Sequence, residues 1–218
     1  MTRVKICGLR DAETIRAMDG LPINEIGFMF AESRRKVTPD EAGELIAEVR
    51  RLRGRNGAAP RTAGVFVNPE LGTLRETLAA APLDVVQLHG GETPELCRAV
   101  KSEFGVEVWK VFAMLPNETA SAADRLAPFR GVVEAVLIDT AGGGTGKAFD
   151  WRAIEAYHAA ARELGVPLYV AGGLHPGNVG ELLRTYAPDG VDVSSGVETD
   201  GKKDIVKIRE FAERVNGS

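Results

Sequence analysis

Short β-branched runs alternate with longer amphipathic stretches from one end of this chain to the other, and that alternation constrains the fold more than any other feature. The runs are Val4–Cys7, Glu25–Phe30, Thr62–Val67, Val85–Leu88, Val106–Phe112, Ala135–Asp139, Leu168–Ala171 and Gly190–Val193. Between and after them lie helical patterns at Asp11–Met18, Pro39–Arg51, Pro69–Ala80, Pro94–Phe104, Glu118–Leu126, Trp151–Leu164, Pro176–Tyr186 and Asp204–Val215. Thr38-Pro39, Asn68-Pro69, Thr93-Pro94 and His175-Pro176 each set a proline where a helix would begin. Strict alternation calls for right-handed crossovers and a parallel sheet. The runs read as almost wholly apolar, as strands covered on both faces do. Eight units in 218 residues favour a closed (β/α)₈ barrel, smaller than the usual size of about 250 residues. No linker or low-complexity tract divides the chain, so a single TIM-barrel domain over residues 1–218 is expected.

Composition narrows the function classes. The chain is 44% hydrophobic and 27% charged, which excludes disorder and coiled coil. No apolar run approaches the roughly 18 residues that cross a bilayer. The N-terminus lacks a signal-peptide pattern, and Cys7 and Cys97 are too few for a disulfide framework, so a reduced, cytoplasmic setting is expected. The net charge of −4 argues against nucleic acid as a partner. Arg50, Arg51, Arg53, Arg55 and Arg61 form one basic cluster, read as helix-end charge and solvated loop.

A barrel carries its chemistry where strands end and helices begin. Polar and glycine residues gather there. Gly172-Gly173 follows the seventh run and Ser194-Ser195-Gly196 the eighth. Glycine loops let backbone N–H groups approach an anion, and in many barrels these two loops hold phosphate. Cys7 ends the first run and Asp139 the sixth, a candidate base and acid facing one mouth. Lys5 shares a strand face with Cys7. Arg35, in the segment after the second run, suits a bidentate carboxylate clamp. The segment Ala141–Lys147 fails the Walker A spacing at both ends and reads as a loop closing over the mouth. His89, His158 and His175 are scattered without zinc-site spacing, and neither a Gly-x-Ser-x-Gly elbow nor a dinucleotide fingerprint is present.

Combined, these motifs resemble one family. Val4-Lys5-Ile6-Cys7-Gly8, Gly64-Val65-Phe66-Val67-Asn68, Val86-Gln87-Leu88-His89-Gly90, Leu137-Ile138-Asp139-Thr140, Ala171-Gly172-Gly173-Leu174 and Asp192-Val193-Ser194-Ser195-Gly196-Val197-Glu198 are similar to stretches of phosphoribosylanthranilate isomerases. The resemblance runs from residue 3 to about residue 211. It implies a (β/α)₈ barrel and the isomerase step of tryptophan biosynthesis. It further implies Cys7 as general base, Asp139 as general acid and Arg35 as holder of the anthranilate carboxylate. Asp192 would lie near the ribose hydroxyls, and Gly172, Gly173, Ser195 and Gly196 would bind phosphate. Neither metal nor organic cofactor is implied. The partner is a phosphorylated small molecule, with monomer and homodimer both open. Two departures stand out: the loop after Asp139 is shorter than in some members, and His175 replaces a more usual Asn before Pro176. The rival readings are another phosphosugar barrel, such as an epimerase or a lysine-dependent synthase using Lys110, and a barrel that binds phosphosugar without catalysis.

Overall fold

The computed structural model describes residues 1–114, 121–140 and 150–217. Its barrel strands are β1 (Arg3–Cys7), β2 (Glu25–Met29), β3 (Arg61–Phe66), β4 (Val85–Leu88), β5 (Glu107–Met114), β6 (Ala135–Thr140), β7 (Leu168–Val170) and β8 (Gly190–Val193). They pair in parallel in chain order, and β8 closes onto β1 through Lys5 opposite Asp192. The helices are α1 (Ala12–Ala17), α2 (Pro39–Val49), α3 (Leu71–Ala80), α4 (Pro94–Phe104), α5 (Ala122–Leu126), α6 (Ala153–Leu164), α7 (Pro176–Tyr186) and α8 (Ile205–Asn216). A hairpin not anticipated from the alternation, β9 (Glu198–Thr199) with β10 (Lys202–Lys203), fills the loop between β8 and α8.

Period-two side-chain alternation sorts each strand into two layers. Outward residues such as Val4, Ile6, Ile26, Phe28, Val86 and Val136 join the helices in the main core. Each such fully buried side chain stabilises the fold by roughly 1.5–3 kcal/mol. A smaller inner core of Ala63, Val85, Trp109, Val111, Ala135, Leu137, Tyr169 and Ala171 fills the barrel. Trp109 and Tyr169 pack there with ring centroids 4.5 Å apart.

The expectation of almost wholly apolar strands holds for most of the outer layer, which Lys110 interrupts, and fails inside the barrel. Inside the N-terminal half of the barrel, Arg3 pairs with Glu25, Tyr169 donates its hydroxyl to Glu25 and Arg61 pairs with Glu107. The narrow interior admits buried charge because each charge has an opposite partner within reach.

Most anticipated helix starts are observed. Thr38 and Glu41 form a reciprocal capping box before Pro39, and Thr93 caps α4. Asn68-Pro69 is the exception. Asn68 takes φ 47°, its N–H donates to Glu92 and its side chain accepts from Gly91, so Pro69 belongs to a turn and α3 begins at Leu71. His175 caps α7 in place of asparagine: its Nδ1 accepts from the Gly177 N–H, while Asn178 accepts from the His175 N–H. The basic cluster is paired surface charge: Arg50 with Asp84, Arg51 with Glu48 and Arg53 with Asp19. The start of the fifth anticipated helix and the whole Ala141–Lys147 segment lie outside the described residues. No described helix is long and apolar enough to cross a membrane.

Candidate active site

The C-terminal ends of the strands enclose a cavity of about 330 Å³. Cys7, Arg35, Asp139, Gly172, Gly173, Asp192 and Ser195 all line it, joined by Gln87, His89 and Ser194. Gly196 does not. Its Cα packs against the Leu174 carbonyl, where a side chain would collide, so this glycine lets the two loops after β7 and β8 meet.

Cys7 is the last residue of β1 and is buried. Two residues earlier on the same strand face, Lys5 is fully buried and donates to Asp192 Oδ2 at 2.9 Å. Burial acts to lower the Lys5 pKa, but Asp192 and the neighbouring Cys7 outweigh it and the ammonium is held above its ordinary value. Burial pushes the Cys7 thiol up, while Lys5 and Lys203 pull it back. Lys5, on the strand face it shares with Cys7, therefore sits close enough to stabilise a thiolate.

Asp139 lies on β6, three positions around the ring from β1. Its Oδ1 accepts the Thr140 N–H at 2.7 Å, and its Oδ2 lies 3.5 Å from His89 Nε2. Burial, reinforced by the charge of Asp192, raises its pKa to about 6. Burial likewise drives His89 down to about 4, with Lys5 and Lys110 adding to the effect against Asp192. His89 is therefore a neutral imidazole near neutral pH, and it lies beside Asp139 without forming an ion pair. Gln87 continues the line, with Nε2 3.4 Å from His89 Nδ1. His89 was legible as a strand-end residue, but its pairing with Asp139 joins two strands 50 residues apart.

Two buried acceptors, Asp192 Oδ1 and Gln87 Oε1, have no hydrogen-bond partner among the described residues. Both belong to cavity-lining residues. Acceptors left open in a cavity suit ligand hydroxyls, because an unpaired buried acceptor is otherwise costly. The backbone N–H groups of Gly172, Gly173 and Ser195 also donate to no acceptor among the described residues. Gly172 has φ +89°, and a Cβ there would crowd Thr140 and Asp139, so only glycine fits this corner. The first-turn amides of α7 are already engaged by its own caps, which leaves the loop amides as the available anion donors.

Arg35 precedes α2 and is buried against Glu198 of β9. Lys110 faces away from the cavity. It pairs with Glu92 at 2.9 Å behind the loop after β4, which removes it as a strand-end catalytic lysine. Among the described residues, no cluster of three His, Cys, Asp or Glu side chains is arranged to hold a metal ion.

Comparison with known proteins gives one family. Residues 4–214 match the family model described as N-(5'-phosphoribosyl)anthranilate (PRA) isomerase. An N-(5'-phosphoribosyl)anthranilate isomerase of Brevibacillus brevis is 44% identical, the match covering 99% of this chain and 94% of that protein. The crystal structure of phosphoribosyl anthranilate isomerase from Thermus thermophilus superposes with a TM-score of 0.83 at 29% identity, covering 99% of both chains. A phosphoribosyl anthranilate isomerase crystallised with reduced 1-(o-carboxyphenylamino)-1-deoxyribulose 5-phosphate gives 0.77 at 31% identity, covering 100% of both chains.

Proposed function

The chain belongs to the N-(5'-phosphoribosyl)anthranilate isomerase family, and from that premise we propose which of its residues carry the reaction. The enzyme is an isomerase of tryptophan biosynthesis. It converts N-(5-phosphoribosyl)anthranilate, an aldose derivative, into 1-(2-carboxyphenylamino)-1-deoxyribulose 5-phosphate, a ketose derivative. The observation that carries the assignment of roles is that Cys7 and Asp139, on different strands, line one cavity: burial and Asp192 raise both groups, and Lys5, joined at Cys7 by Lys203, works against that rise. Asp139 is held toward its protonated form by burial and Asp192. Cys7 has two lysines beside it that favour its anion.

In this reading, protonated Asp139 donates to the furanose ring oxygen as the C1–O bond breaks, and the nitrogen lone pair forms the C1=N bond of a Schiff base. Thiolate Cys7 removes the C2 proton, and the electrons of that C–H bond form C1=C2 while the C=N electrons return to nitrogen. The enolamine then gains a proton at C1 and loses one from the C2 hydroxyl, leaving the ketone. Asp139 has lost one proton and Cys7 has gained one, so transfer through these last two steps resets both. The steps use protein acid and base groups. Asp192 Oδ1 accepts from a sugar hydroxyl, and the Gly172, Gly173 and Ser195 amides receive the phosphate. Every residue assigned lies in one chain, so monomer and homodimer serve this chemistry equally. The substrate is a small phosphorylated molecule rather than a nucleic acid, and the two free cysteines fit a cytoplasmic setting.

Arg35 takes the anthranilate carboxylate. Arg35→Ala is expected to raise KM about tenfold to a hundredfold with a smaller effect on kcat, the range for a lost charged hydrogen bond. Steady-state kinetics followed by anthranilate fluorescence check this, and an unchanged KM removes the clamp.

The pH dependence follows from the two shifts. Catalysis needs Asp139 protonated and Cys7 ionised, yet Asp139 loses its proton first, at about 6, and the thiol only above its ordinary value. The competent form is therefore a minority whose fraction is constant between the two pKa values. A bell-shaped kcat/KM profile is expected, falling below about pH 6 and again on the alkaline side of the thiol pKa. A profile that keeps rising as pH drops below 6 would contradict these roles.

A further inference from the structure

Arg35 is 7% exposed in its side chain, and so are Glu198 and Lys203 at 5% and 3%, which makes this a buried charge cluster. Glu198 accepts from Arg35 Nε at 2.6 Å and from Nη2 at 3.0 Å, engaging the side fork of the guanidinium. Among the described residues Arg35 Nη1 has no partner, so the end fork formed by Nη1 and Nη2 stays available. Arg35 lines the cavity, and its Cδ lies where a side chain at Gly8 would be.

Glu198 is itself anchored. It faces Lys203 across the β9–β10 hairpin, and Lys203 Nζ donates to Glu198 Oε1 at 3.1 Å. The same Nζ donates to the Ser194 carbonyl at 2.8 Å, and Ser194 Oγ donates to the Cys7 carbonyl at 3.1 Å. The hairpin thus ties the loop after β2 to the ends of β8 and β1. An unbraced arginine would sample many rotamers and lose side-chain entropy on capturing an anion.

We propose that Glu198 is the positioning residue of the carboxylate clamp: it grips the side fork of Arg35 so that the end fork faces the cavity, and Lys203 locks Glu198 to the barrel rim. This rests on the assignment of Arg35 to the substrate carboxylate. The geometry explains why an acidic side chain stands within reach of a site for an anionic substrate. Glu198 meets three cations, Arg34, Arg35 and Lys203, and so orients them while leaving the group positive overall.

The test compares two substrates: phosphoribosylanthranilate and the same compound made from aniline, which lacks the carboxylate. Selectivity is the ratio of their kcat/KM values. Glu198→Gln is expected to lower this ratio about tenfold, mainly through KM for the carboxylate-bearing substrate. Glu198→Asp keeps the charge for Lys203 but is one methylene too short to grip both Arg35 nitrogens, and it is expected to lower the ratio as well. It supplies the test if the glutamine variant fails to fold. An equal loss on both substrates, or no loss on either, overturns the positioning role. Arg35→Ala, run alongside, separates the two levels. If it leaves selectivity intact, the clamp itself is wrong; if it abolishes selectivity while the Glu198 variants do not, only the positioning role fails.

Discussion

Cys7→Ala and Asp139→Asn are each expected to lower kcat by at least about a hundredfold, the scale of a lost general base or acid. Asparagine at 139 is the informative replacement. Its carbonyl oxygen still accepts the Thr140 N–H and its size is conserved, so the rim of β6 stays in place. What it lacks is a proton that can be transferred to the ring oxygen. Cys7→Ser makes the parallel test at the other end of the reaction. A serine hydroxyl fits the same space, but it ionises far less readily than a thiol, even beside Lys5. If the thiolate is the base, serine rescues little of the loss in the alanine variant. Near-normal turnover in either the alanine or the asparagine variant, with folding confirmed by circular dichroism, removes that residue from the mechanism.

The largest expected effect on stability lies outside the cavity. Glu92 is buried beside Lys110, and its carboxylate accepts from Lys110 Nζ at 2.9 Å and from the backbone N–H groups of Asn68 and Gly90 at 2.8 Å. Lys110 also donates to the Gly90 and Val111 carbonyls. This one pair satisfies the polar backbone of the loops after β3 and β4. Glu92→Gln strands the lysine charge in a buried site, a change that costs about 3–5 kcal/mol when one partner of such a pair is removed. For a chain of this length that corresponds to a fall in Tm of roughly 6–20 °C. Thermal unfolding of the variant against wild type measures it. Glu92→Gln combined with Lys110→Met should lose less than Glu92→Gln alone if the stranded charge is the cause, because the double variant buries no ion and the glutamine oxygen still accepts a loop N–H. A shift below about 2 °C in the single variant would mean the pair is hydrated.

The barrel was legible because its signal is periodic and local. β-branched runs of the length of β1 and β6, separated by amphipathic stretches with proline at the first turn, identify their own type. Cys7, Asp139 and the two glycine loops could be placed at the mouth for the same reason: they directly follow those runs. Capping was local as well, and His175 shows that a different side chain can fill the same role from the same position.

Pairings between distant segments were not legible. Lys5 shares a strand face with Cys7 in the sequence, but its partner Asp192 comes from β8, 187 residues away. His89 directly follows β4 in the sequence, but only the closed barrel brings it beside Asp139. Lys110 looked like a strand-end lysine and proved to face outward onto Glu92. Glu198 stood inside a motif already noticed, but its grip on Arg35 spans 163 residues of chain.

The eightfold order of strands and helices, and the residues available at their ends, were properties of the sequence by itself, since hydrophobic period and turn chemistry act over a few residues. The tertiary structure alone decided which of those residues share one cavity, which charges bury together and which way each pKa moves. Those depend on burial and on neighbours that closure of the barrel supplies.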